Sequence, residues 1–203
     1  MITIDDFIQQ FSIAFSNQKD WQPWEVTKKL SAILDQLILL LDDSYEIKDE
    51  IAIHKTATIE PGVALKGPVI ICENCFVGSN TCLRGGVYLA KSVVIGTGCE
   101  IKTSIIFSGS SIAHFNFIGD SIIGSNVNFE AGSLTANHFN ERIDKKISVA
   151  FNSKIIDTGI EKFGALVGDN SKVGANAVLS PGTLLSPGTI VKRLELIDQI
   201  KQN

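Results

Sequence analysis

IHKTATIEPGVALKGPVIICENCFVGSNTCLRGGVYLAKSVVIGTGCEI, residues 53–101, carries an aliphatic side chain at every sixth position: Ile53, Ile59, Leu65, Ile71, Val77, Leu83, Leu89, Ile95 and Ile101. A 3.6-residue helix would scatter positions six apart around its surface, and an ordinary strand would place an apolar residue at every second position. The period therefore belongs to a repeat unit, a hexapeptide. Four residues after each anchor comes a small or β-branched residue (Ala57, Val63, Val69, Cys75, Thr81, Val87, Val93, Cys99), and the residue after an anchor is often glycine, as at Gly78, Gly96, Gly119 and Gly124. That alternation describes a flat face followed by a corner.

Two shortened units continue the series through Ile106, Ile112, Ile118, Ile123 and Phe129. After a break it resumes at Val167, Val173, Leu179, Leu185 and Val191. The spacing predicts a mainly β protein, a parallel β-helix in which each coil buries its anchors by stacking on its neighbours. On these residues the chain resembles the left-handed β-helix acyltransferases from about residue 51 onward, roughly three quarters of its length. The left hand comes from the resemblance, since periodicity alone does not fix it.

The 203 residues are 44% hydrophobic and 20% charged, enough to bury a sizeable core. A net charge of −4 and an isoelectric point near 5.4 provide no basic field for nucleic acid or an anionic membrane surface. Asp5 and Asp6 stand where a secretory leader would be basic, and the longest apolar run, Leu37 to Leu41, is too short to cross a bilayer. The expectation is a cytoplasmic protein without membrane or nucleic-acid partners. Cys72 and Cys75 have CxxC spacing, but Cys75 and Cys99 fall on the small inward position of the hexapeptide, which favours structural thiols over a metal site.

Residues 1–50 follow a different pattern and are read as an N-terminal helical cap on the β-helix of residues 51–203. Thr3 with Asp6 resembles a capping pair ahead of Phe7, Ile8, Phe11 and Phe15, and Pro23 is placed to open a second helix. That second helix carries Val26, Leu30, Ile33, Leu34, Leu37, Leu40 and Leu41 as one apolar stripe, expected to pack on the first helix and the first coil and to protect the open edge. The polar, charged segment at about 137–162 reads as an inserted loop protruding from the coils.

Ala113 to Asn137 reads AHFNFIGDSIIGSNVNFEAGSLTAN. Its His, IGD corner, NVN triplet, AG pair and Asn, in that order, resemble the acetyltransferase half of bifunctional N-acetylglucosamine-1-phosphate uridyltransferases, especially archaeal sugar-1-phosphate versions. No glycine-rich nucleotide-binding turn precedes the repeats, so nucleotidyl transfer is not expected of this sequence.

The resemblance implies N-acetylation of a hexosamine 1-phosphate, or of a related amino-sugar nucleotide, by acetyl-CoA, without a metal. An imidazole titrates near neutral pH, so His114 is suited to take the proton that an amine sheds as it attacks a thioester. Glu100 is the candidate to orient that imidazole. Ala131 supplies the backbone N–H for the tetrahedral intermediate, with Gly132 permitting close approach. Arg84 and Lys102 fall where the family binds phosphate, one a planar fork and the other a compact charge. Asn128 and Asn137 match sugar and acetyl contacts.

Phe117 stands where the family has a tyrosine, which removes one hydroxyl contact, about 0.5–1.5 kcal/mol. Coenzyme A is expected near Ala175, Lys192 and Arg193, although the SPGT segments from Ser180 to Ile190 leave one coil unit fewer than relatives usually have. The family also implies a homotrimer, with the loop reaching a neighbouring subunit. Two other readings share the β-helix. One is a noncatalytic sugar-phosphate-binding scaffold trimer that partners a separate nucleotidyltransferase. The other is a zinc hydratase of the γ-carbonic anhydrase type, which needs three histidines where this chain has only the widely spaced His54, His114 and His138.

Overall fold

The computed structural model describes residues 1–200. From residue 51 the chain winds into a left-handed parallel β-helix with three flat faces. Face one is built from Ile51–His54, Val69–Ile71, the second halves of Cys82–Leu89 and Glu100–Ile106, then Ile122–Ile123, Ala165–Val167 and Thr183–Leu185. Face two is a seven-stranded sheet running from Thr58–Ile59 to Ile190–Val191. Face three holds Ala64–Lys66, the first halves of the two long strands, Phe117–Gly119, Leu134–Thr135, Val178–Leu179 and Leu196–Ile197.

The hexapeptide anchors explain this shape. From Ile71 to Val191 each anchor is at most 4% exposed, stacked coil on coil in one core with the inward Cys75, Cys99 and Val127. The shortened units fall where a corner loses a residue. The turn after Leu83 uses Gly85 and Gly86, both with positive φ, whereas the turns after Ile101 and Ile118 each use one left-handed residue, Thr103 and Asp120. Anchors of the first coil, Ile53, Ile59 and Leu65, are only half-buried, and at that end of the stack the strand Tyr45–Lys48 pairs antiparallel with Ile51–His54 of face one.

The N-terminal segment departs from expectation in three ways. Thr3 makes no side-chain cap; residues Ile4–Asp6 form a single 3-10 turn, and the Asp5 carboxylate instead accepts the Ser12 N–H at 3.0 Å. The long apolar stripe divides into α2 (Pro23–Lys28) and α3 (Leu30–Ile38), following the short α1 (Phe11–Ala14). Lys29 leaves helical geometry at φ −107°, ψ 8°, two residues after the buried Thr27, whose hydroxyl donates back to the Trp24 carbonyl, a bond that bends helices. Pro23 does open α2, and Glu25 accepts the Gln22 N–H at 2.8 Å.

The third departure concerns position. The helices lie along face one, reaching from the strand Val69–Ile71 to Asp169, whose N–H donates to the Phe7 carbonyl at 2.9 Å. The outward side chains of face one dictate this. Ile70, Ile105, Ile122, Leu166 and Leu184 form an apolar wall that joins Phe11, Phe15, Trp24, Leu30 and Leu34 in a second buried cluster. Gly86 allows α3 to approach, since a Cβ there would lie 3.1 Å from the Ser31 nitrogen.

The insertion is also folded rather than protruding throughout. Ser148–Phe151 and Lys154–Asp157 pair as a hairpin whose Asn152–Ser153 turn has positive φ at both residues, and Phe139, Ile147 and Val149 are buried in the same cluster. The base is closed by the Phe163 N–H donating to the Asn137 carbonyl at 3.0 Å.

The two CxxC thiols diverge: Cys75 donates to the Ala90 carbonyl inside the prism, while Cys72 faces Tyr45 and Tyr88 outside it. Burial pushes the Cys75 thiol up to about 12 and raises Cys72 and Cys99 in the same direction. Only the thiolate alkylates. Iodoacetamide near pH 8 is therefore expected to label the half-buried Cys82 alone in the folded protein, with all four thiols labelled after denaturation, as peptide mass mapping would show.

Candidate active site

Stacking coils in register brings together residues that are far apart in sequence. On face three, Arg84 lies beside Lys102 and Lys102 beside Gly119, while Glu100 lies between Cys82 and Phe117. The edge between faces two and three stacks Thr97, His114, Ala131, Ala175 and Arg193, held by carbonyl to N–H bonds such as His114 to Gly132 at 2.9 Å and Ala131 to Asn176 at 3.0 Å.

His114 is exposed on this edge, and its ring lies over Gly96, where an added Cβ would be 2.9 Å from Nδ1. The same Cβ would meet the Ala113 carbonyl oxygen at 1.8 Å. Gly96→Ala is therefore expected to destabilise the fold by about 1–3 kcal/mol and to displace the imidazole. Thermal melts and enzyme assays on the folded fraction would separate those two losses.

Backbone donors flank the histidine. The N–H groups at this corner position point away from the coil ladder, and two of them are capped by the glutamate one coil earlier: Glu60 accepts from Ser79 at 2.8 Å, and Glu130 from Ala175 at 2.9 Å. At the coils between, the corresponding residues are Gly78, Gly96 and Ala113, which have no side-chain acceptor. Among the described residues the N–H groups of Thr97, His114 and Ala131 have no protein partner. This leaves a row of three free donors centred on the imidazole, suited to an oxygen that gains negative charge.

Several expected contacts are replaced by others. Glu100 accepts from Arg84 (Nε at 2.6 Å, Nη2 at 2.5 Å), and no hydrogen bond joins it to His114, because register sets its carboxylate beside the neighbouring coil while the histidine turns out at the corner. Lys102 pairs with the buried Asp120 at 2.7 Å, and the same Asp120 oxygen accepts from the Asn137 amide. Asn137 and the Phe117 ring meet over Gly119. Asp120, the acid of the IGD corner, is the residue that sequence reasoning left without a role. Its signal is the IGD corner, which sets Asp120 one residue past Gly119, the register partner of Lys102 on the next coil.

Asn128 stands apart. It sits on face two between Ser111 and Lys172, in a groove of about 480 Å³ shared with Lys192. The expected coenzyme A residues are engaged as well. Arg193 makes two 2.7 Å bonds to Glu130, whose other contact is the Ala175 N–H, and together these hold the Glu130 carboxyl below its ordinary range. The three histidines are not clustered, and no three His, Cys, Asp or Glu side chains converge on a metal position among the described residues. No helix among them is long and apolar enough to cross a membrane.

A family model described as the hexapeptide repeat of succinyl-transferase matches residues 68–102 and 157–181. The chain is 34% identical over 153 residues, 72% of its length, to a bifunctional sugar-1-phosphate nucleotidylyltransferase/acetyltransferase of Sulfurisphaera tokodaii. It is 30% identical over 156 residues, 74% of its length, to the bifunctional protein GlmU of Methanocaldococcus jannaschii. It spans 37% of the length of each. A solved hexapeptide transferase family protein from Anaplasma phagocytophilum is 22% identical, with a TM-score of 0.37 over 71% of this chain and 70% of that one.

Proposed function

Starting from the hexapeptide repeats that the family model matches at residues 68–102 and 157–181, we propose that the chain is an acetyl-CoA-dependent N-acetyltransferase whose acceptor is an amino sugar carrying a phosphate. The observation that carries this reading is the exposed His114 flanked by unpartnered N–H groups, on the edge of the face that bears Arg84 and Lys102. The acceptor nitrogen attacks the thioester carbonyl and its proton passes to the imidazole. The Ala131 N–H meets the oxygen as it becomes negative, the carbon–sulfur bond breaks, and the thiolate leaves as coenzyme A with a proton. Glu100 fixes the Arg84 fork, and Asp120 fixes Lys102 and Asn137, so the three polar groups assigned to the acceptor are held by two ion pairs and one hydrogen bond rather than free to sample rotamers.

A homotrimer completes the reading. Phe115 and, three coils further on, Ile190, Leu194 and Leu196 are between 63% and 78% exposed near the edge of faces two and three, apolar side chains that a second copy would cover. Such packing would bring the Asn128 groove of one subunit toward the His114 edge of another. The closed Glu130–Arg193 contact favours the noncatalytic scaffold as the second reading, since it occupies the expected coenzyme site. Free-thiol release from acetyl-CoA in the presence of glucosamine 1-phosphate or galactosamine 1-phosphate decides between them. Release that depends on the amino sugar supports the enzyme, whereas calorimetric binding of the sugar phosphate with neither thiol release nor acetyl-CoA binding supports the scaffold.

A further inference from the structure

Two exposed imidazoles border face three, and only one of them is held. His114, at the edge with face two, makes no hydrogen bond among the described residues. His138 stands at the opposite edge, where the chain leaves the face-three strand Leu134–Thr135 for the insertion, and its Nδ1 lies 3.2 Å from Asn137 Oδ1. Its place is fixed by its neighbours, since Asn137 and Phe139 are each 7% exposed.

The chemistry of that contact decides which nitrogen is free. Asp120 Oδ2 accepts from Lys102 Nζ at 2.7 Å and also from Asn137. A carboxylate oxygen only accepts, so the amide nitrogen of Asn137 faces Asp120 and its oxygen faces His138. That oxygen needs a donor, which places the proton on Nδ1. In the neutral ring Nε2 then carries the lone pair, and it has no partner among the described residues. A third group that fixes an imidazole in this way is the arrangement of a ring that handles substrate.

Between the two edges the floor is apolar. The Phe117 ring leans over Gly119 toward Asn137, with Lys102 and Arg84 on the two coils before it. Apolar lining with a few convergent polar groups is the pattern of a small-molecule site.

The geometry points to His138 as an acceptor-binding residue, whose Nε2 accepts a hydrogen bond from a ring hydroxyl of the amino sugar lying on Phe117. This rests on the acceptor reading given above. A phosphate oxygen would meet the Nε2 lone pair with a lone pair of its own, and the amine belongs to His114 at the other edge, which leaves the hydroxyls as the donor class.

Calorimetry on the full chain tests it with glucosamine 1-phosphate, galactosamine 1-phosphate, inorganic phosphate and, for the sugar that binds tighter, the analogues lacking one hydroxyl each. His138→Ala is expected to weaken the sugar phosphate about three- to tenfold, the size of one neutral hydrogen bond, and to leave inorganic phosphate within about twofold. One deoxy analogue should lose that same factor on wild type and nothing further on His138→Ala. Substituted amides separate contact from positioning. His138→Gln carries its amide to the place of Nε2 and should recover most of the affinity, whereas His138→Asn keeps a donor at the place of Nδ1 and should not. In thiol release His138→Ala should raise KM and leave kcat within about twofold. Recovery by His138→Asn but not His138→Gln, equal loss of inorganic phosphate, or a deoxy series that behaves alike on both proteins would each overturn the proposal. Binding that depends on His138 without thiol release would remove the acetyl-transfer reading and keep the contact. Thiol release unchanged in His138→Ala would do the reverse.

Discussion

Replacing His114 by alanine is expected to lower kcat/KM for acetyl transfer by about 10²- to 10⁴-fold, the usual contribution of a positioned general base. The side chain is exposed and makes no hydrogen bond among the described residues, so its removal leaves no buried group unpaired, and the melting temperature should stay within about 1–2 °C of wild type. That combination separates a chemical from a structural histidine. The loss should fall on kcat, because the imidazole interacts with the amine proton only as the bond to carbon forms. Activity should return as the assay pH rises toward the acceptor amine's own pKa, where more of the amine is already neutral. Thiol release that is equal in wild type and His114→Ala would remove the imidazole from the mechanism. Labelling of Cys82 sets the background of such an assay, and the Cys82→Ser variant would lower it.

The coils were legible because inward positions report themselves: an anchor that must be aliphatic every sixth residue leaves an uninterrupted trace from Ile53 to Ile101. Outward positions leave no such trace. Their neighbours lie one coil away, 16 to 18 residues along the chain, as in Arg84 with Glu100 and Lys102 with Asp120. Counting in coils rather than hexapeptides finds both pairs. It fails for Glu130 and Arg193, 63 residues apart, because the insertion after Asn137 breaks the count. Placing Glu100 beside His114 overlooked that a corner residue turns away from the face its neighbours occupy. Asn128 lies on a different face from Arg84 and Lys102, so contact between those groups requires a second subunit.

The seat of the helical segment is hidden in the sequence for a related reason. A hexapeptide pattern hides whether the outward residue of a coil is apolar by design, and on face one it is: Ile70, Ile105, Ile122, Leu166 and Leu184 would face water without the helices. Burying such side chains stabilises the fold by about 1.5–3 kcal/mol each, far more than covering the half-exposed anchors at the end of the stack.

Phe15 is where this arrangement is most exposed to test. The ring is 1% exposed, stacks on Phe11 at 5.5 Å between centroids, and meets the edges of Tyr88 at 5.2 Å and Phe107 at 6.2 Å, so it joins the helical segment to two coils of face one. Phe15→Ala removes these contacts and leaves a void that the flat wall of strands cannot collapse to fill; the expected cost is about 3–5 kcal/mol. Ile13→Ala, two residues away with 82% of its surface in water, should cost no more than about 0.5 kcal/mol. Urea unfolding followed by tryptophan fluorescence reads both, because Trp21 and Trp24 lie in the helical segment alone. If the helices undock before the coils melt, Phe15→Ala will show a fluorescence transition well ahead of the loss of β circular dichroism, together with binding of a hydrophobic dye to the uncovered wall. If helices and coils form one cooperative unit, both probes will move together to lower urea. A Phe15→Ala variant as stable as Ile13→Ala would mean that the helical segment is not held on face one at all.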